Sequence, residues 1–224
     1  MRNAVSKFTA DELNAMQART GVDVHALLDG IRRTPSERLE FASANGRNLA
    51  RLRAASKRLL EVTMTVTGAL DPLAILAALH RRQVRFVVIG GVAAYLLGSI
   101  LPRANFDICF AADDENVRRL TAALNDLHAE LQTASGATFD YQMLQVNDIV
   151  SFKTDSGLLH CVKSPAFTLG YDDLVASAEH FDIAGMRTDV ASLPDLIRMK
   201  EATDRPKDRV AAEALRSIRR RRRT

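Results

Sequence analysis

The chain has little of what would assign it to several large classes. No stretch of about 18 consecutive apolar residues occurs in its 224 residues, so no helix is expected to span a membrane. Residues 1–10 are polar and contain no apolar stretch of the signal-peptide kind, which predicts no secretory leader. Cysteine is scarce: Cys109 and Cys161 cannot build a disulfide framework, and no Cys-x-x-Cys spacing occurs. Both read as reduced thiols, and the expected location is cytoplasmic. No internal repeat is visible. What is present is an ordinary globular composition, 47% hydrophobic and 26% charged, enough for one full core with a small appended module.

The charge is unevenly placed. The formal net charge is +4, and Arg219, Arg220, Arg221, Arg222 and Arg223 stand in a row near the C-terminus. Removing those five charges from +4 leaves −1, so the basicity belongs to a tail and not to the body. Two uses of the run are open. It can hold RNA, DNA or another polyanion without sequence preference, or it is a solvated helix end.

Residues 1–66 are helical in pattern. Helix starts are expected at Thr9, at Asp23 and at Thr34-Pro35-Ser36-Glu37, where Pro35 takes the first helical position. The composition changes between Gly68 and Pro72. A short helix is expected over 73–82, then a buried β-branched strand over 84–89 that ends at Gly90-Gly91. A short apolar helix over 92–97 and a strand over 106–110 follow. An amphipathic helix over 113–127 turns Val117, Leu120, Leu124 and Leu127 to one face. Strands are expected over 138–144, 149–153 and 158–162, a helix over 171–179, and a hairpin over 181–190 about Ala184-Gly185. Ser192 and Asp195 begin a helix over 193–202, and a last helix opens at Pro206 and Asp208. The order predicts a mixed α/β (α+β) sheet flanked by helices, in three parts: 1–66 helical, 70–216 the main domain, 217–224 the basic tail.

Metal-dependent nucleotidyl transfer needs a cradle for a triphosphate, which glycine-rich turns and helix N-termini supply through backbone N–H groups. It also needs carboxylates facing one way to hold two Mg²⁺ ions. Residues i and i+2 on a strand share a face, and a third carboxylate on a neighbouring strand completes the clamp. The chain supplies the Gly90-Gly91 turn after a buried strand, then Asn105-Phe106-Asp107 on the next strand.

At these residues the chain resembles the AbiEii/MNT-like branch of the nucleotidyltransferase superfamily, over roughly residues 70–215. The resemblance is carried by the runs 87–94, Gly98-Ser99, 107–110, 114–120, 157–161, 171–174, 192–200 and 205–208. It implies a nucleotidyltransferase fold, Mg²⁺ with a nucleoside triphosphate in active members, and nucleotide contacts at Gly90, Gly91, Ser99 and Lys200. It places the catalytic carboxylate positions at Asn105, Asp107 and His160, with Asp107 kept as a metal ligand. Arg103 stands where the family carries threonine. It further implies, as partners, a nucleotide, an RNA or protein acceptor, and a cognate antitoxin or a second copy.

The replacements cut against catalysis. Asn105 keeps the shape of aspartate without its charge, and His160 offers nitrogen where Mg²⁺ takes oxygen. An imidazole can act as a base but does not neutralise metals. Three functions therefore stand: a nucleotide-binding protein impaired in transfer; an active enzyme with an altered metal site that moves a nucleotide to RNA or protein; and a non-catalytic regulatory module that binds nucleic acid or protein. A zinc set of Asp107, Cys109 and His160 is a further option, against Cys109 as a small core residue. Lys200 reads as a phosphate ligand or a solvated lysine. Asp208 reads as a helix-start residue that fixes Lys200 or Arg205 by charge. His25, His80, His128 and His180 read as surface or packing residues.

Overall fold

The computed structural model describes residues 33–41, 43–44, 70–99, 104–132, 139–203 and 205–223. The helix starts expected at Thr9 and Asp23, and Arg103, lie outside them. Among the described residues no helix is long and apolar enough to cross a membrane.

Residues 35–41 are helical, as Pro35 at the first position suggests. The start is a capping box: Glu37 N donates to Thr34 Oγ1 (3.3 Å), and Thr34 N donates to Glu37 Oε2 (2.6 Å). This segment is part of the main core. Leu39 is fully buried, and Ser43 Oγ accepts from Leu73 N at 3.1 Å.

Helix α1, Pro72–Arg81, is capped by Asp71, whose side chain accepts from Ala74 N, and it buries Ile75, Leu76 and Leu79. Strand β1, Phe86–Ile89, is buried at all four residues, as its β-branched run predicts. Helix α2, Gly90–Leu96, follows at once. Strand β2, Asn105–Phe110, leads to helix α3, Asp114–Asp126, where Asp113 accepts from Asn116 N at 3.2 Å. Strand β3 is the two residues Glu130–Leu131, and helix α4 is Tyr141–Val146. Strands β4, Ile149–Thr154, and β5, Gly157–Val162, form a hairpin. Helix α5, Tyr171–Val175, precedes the hairpin of β6, Glu179–Ile183, and β7, Met186–Val190. Helices α6, Leu193–Thr203, and α7, Pro206–Arg223, close the chain.

The seven strands form one mixed sheet in the order β3-β4-β5-β2-β1-β7-β6. The pairs β1–β7 and β2–β5 are parallel, and the other four are antiparallel. The architecture is thus the expected mixed α/β sheet with helices on it.

Two expectations are corrected. The strand over 138–144 is not formed: residues 141–146 are helix α4, and β3 is the outer neighbour of β4. Alternation of Phe139, Tyr141 and Met143 with polar residues imitates a strand. Asp140 overrides it by accepting from Met143 N at 3.1 Å, which starts a helix that buries Leu144. The helix expected over 171–179 stops at Val175, and Glu179 already belongs to β6. The arginine run forms the last turns of α7, a helix end at which Arg220, Arg221 and Arg222 are exposed; there Arg220 bonds Glu213 and Arg222 bonds Glu179, while Ile218 just before the run is buried.

Candidate active site

Strand β1 delivers Gly90 against β2. Gly90 has φ +66°, a conformation glycine adopts freely and other residues do not. A Cβ there would collide with Asp107 Oδ2 and lie 2.8 Å from Asp107 Cγ. The register explains the closeness, because Ile89 pairs with Asp107 across the β1–β2 ladder. On β2 the buried residues Phe106 and Ile108 alternate with the half-exposed Asn105 and Asp107, so the last two share a face. The parallel pairing of β2 with β5 sets His160 beside Asp107. Three residues that the sequence singled out, Asn105, Asp107 and His160, are thereby brought together.

Their contacts are direct. Asn105 Nδ2 donates to Asp107 Oδ1. His160 Nδ1 lies 2.9 Å from the same oxygen. Asn105 Nδ2 is also 3.2 Å from His160 Nδ1. A carboxylate only accepts, so we assign the proton to Nδ1, which then donates to Asp107. The side chains are 16% exposed for Asp107 and 28% for His160, so the cluster can be reached from solvent.

This donor set does not fit a pair of Mg²⁺ ions. Asp107 is the one carboxylate of the cluster, and its Oδ1 already receives two neighbours. Mg²⁺ asks for near-octahedral oxygen, while the other positions offer an amide and an imidazole. Among the described residues no group of three or more His, Cys, Asp and Glu is placed to hold a metal ion. The zinc set fails on Cys109, which is fully buried, with its Sγ 3.7 Å from Lys163 O. With no metal at hand, burial pushes the Cys109 thiol up to about 12, and the nearby Asp173 charge adds to this.

The remaining predicted residues are placed less centrally. Gly91 follows Gly90 in the first turn of α2. Ser99 lies past the opposite end of that helix, where its N–H donates to Ala94 O at 2.8 Å. Lys200 does not stand free: its Nζ lies 2.9 Å from the buried carboxylate of Asp208, which also receives Arg205 Nε at 2.6 Å. Asp208 thus fixes both cations that the sequence offered as alternatives. Burial alone would raise the Asp208 carboxyl. Hydrogen bonds from Lys200, Thr203 and Arg205 outweigh it and hold the group down at about 2.

Sequence reasoning missed a cleft of about 480 Å³ at the other end of the strands, where β2 and β5 finish. Arg85, Asp113, Lys163 and Tyr171 are among its lining residues. These come from four separate stretches of chain, and no local spacing links them.

No family model matches the chain. No curated protein matches it either. It is similar to several solved structures. One is the lincosamide antibiotic adenylyltransferase LnuA with lincomycin bound, at 15% identity and TM-score 0.47, covering 65% of this chain and 94% of that one. Another is the antibiotic-resistance factor ANT(2'')-Ia, at 19% identity and TM-score 0.42, covering 67% and 88%. A third is an antigenic nucleotidyltransferase-like protein from Paracoccidioides brasiliensis, at 18% identity and TM-score 0.43, covering 65% and 73%.

Proposed function

We propose that this chain is a nucleotidyltransferase-fold protein of the AbiEii/MNT-like kind that binds a nucleotide and is impaired in metal-dependent nucleotidyl transfer. The observation that carries the reading is the cluster at Gly90, Asn105, Asp107 and His160. The resemblance aligns its residues with the family's Gly-Gly turn and three carboxylates, and this reading is supported by their meeting on adjacent strands. One carboxylate remains of three, and a neutral amide and an imidazole hold it. Charge stabilisation by metals contributes several kcal/mol to such reactions, so its loss slows transfer by about 10³-fold or more.

The test is a gain of function. Wild type and the double variant Asn105→Asp/His160→Asp are incubated with Mg²⁺, labelled nucleoside triphosphates, and total RNA or protein as acceptor. The expected result is label transfer by the double variant at least about 10²-fold above wild type, abolished by adding Asp107→Ala. Transfer by wild type at the double variant's rate would overturn the reading.

A further inference from the structure

Helix α2 is held at its far end as well as at Gly90. The last carbonyls of a helix have no donor within it. Two arginines from distant parts of the chain meet carbonyls at this end, one of which, Tyr95 O, also receives Gly98 N at 3.1 Å. Arg38 Nη1 donates to Tyr95 O at 3.1 Å, and Arg222 Nη2 donates to Leu97 O at 3.2 Å. Neither guanidinium is loosely placed. Arg38 is 8% exposed, and its Nε donates to Arg33 O at 3.0 Å. Arg222 Nη1 lies 2.8 and 2.9 Å from the two carboxylate oxygens of Glu179. Gly98, at φ +113°, is in a conformation that favours glycine, and Arg38 Nη1 lies 3.6 Å from where its Cβ would be, an ordinary contact.

The arrangement has an electrostatic cost. Burial depresses the Arg38 guanidinium; the Tyr95 side chain acts against this, and the Arg222 charge adds to the depression. The negative end of a helix dipole favours cations placed there. The helix has only seven residues, about 10 Å by helical rise, so its two ends lie close together. Its first residue lies against the Asp107 carboxylate with no space to spare.

We propose that Arg38 and Arg222 are positioning residues that fix Gly90 against Asp107 from the far end of α2. The inference rests on the reading of Gly90 and Asp107 as the nucleotide site. On this view the segment around residues 33–44 and the arginine-bearing end of α7 complete the site from outside the sheet.

The experiment is hydrogen–deuterium exchange on the full chain without nucleotide, with the ¹⁵N resonance of His160 Nδ1 followed in the same samples. In Arg222→Gln, amides of residues 90–99 are expected to exchange about tenfold faster, as loss of a charged hydrogen bond implies, while α3 and the β4–β5 hairpin stay unchanged. The His160 resonance shifts as its contact with Asp107 loosens. Arg222→Lys restores most of both signals. Arg38→Gln behaves alike, and if that variant fails to fold, the two Arg222 variants decide. Unchanged exchange over 90–99, faster exchange spread evenly through the sheet, or an unmoved His160 resonance would each overturn the proposal. Failure of wild type to bind any nucleotide would instead remove the site reading, and leave the exchange result standing on its own.

Discussion

Gly90 has no room for a side chain. Its positive φ disfavours any L residue, and a Cβ would strike the Asp107 carboxylate itself. Gly90→Ala is therefore expected to lower stability by about 1–3 kcal/mol and to displace Asp107 from Asn105 and His160. Chemical denaturation measures the first effect. A shift of the His160 Nδ1 resonance reports the second.

Asp208 is the other residue with a sharp expectation. Its folded carboxyl is held at about 2, below the roughly 3.9 of an unfolded aspartate. A depressed carboxyl contributes stability that is full above about pH 4 and is lost as pH falls toward 2. Asp208→Asn leaves Lys200 and Arg205 without their carboxylate, and should cost about 2–4 kcal/mol at pH 7. Between pH 4 and 2 the gap between the variant and wild type should narrow. A gap that stays constant over that range would show that the ion triad gives no such pH dependence.

At the scale of elements, the sequence was readable where a cap and an apolar period agreed. Thr34 with Glu37, Asp113 and the pair Ser192–Asp195 all start helices where they were expected. Ala184 and Gly185, both at positive φ, turn the β6–β7 hairpin. The reading failed where two signals conflicted. The alternation around Phe139 to Met143 spoke for a strand, and the Asp140 cap for a helix. The cap prevailed because α4 buries Leu144.

At the scale of the whole molecule, the candidate site was legible in part. The shared face of Asn105 and Asp107 follows from their spacing. The approach of His160 depends on a parallel pairing between strands far apart in sequence, which no local pattern encodes. Its position came from the family resemblance alone. The hold of Arg38 and Arg222 on α2 was not legible for the same reason, whereas the pairing of Asp208 with Lys200 was, as one of two alternatives that both form. The arginine run illustrates the limit well. Composition shows a basic stretch, while the fold sets one of its members, still exposed, against a helix end.

The account as a whole turns on a nucleotide site that works without paired metal ions. Isothermal calorimetry on wild type with ATP, CTP, GTP and UTP, in excess Mg²⁺ and again in EDTA, tests this most directly. The account predicts that at least one nucleotide binds, with affinities in the two conditions agreeing within about threefold, and that Gly90→Ala weakens it. Binding that appears only with Mg²⁺ and vanishes in Asp107→Ala, or no binding under either condition, would contradict it.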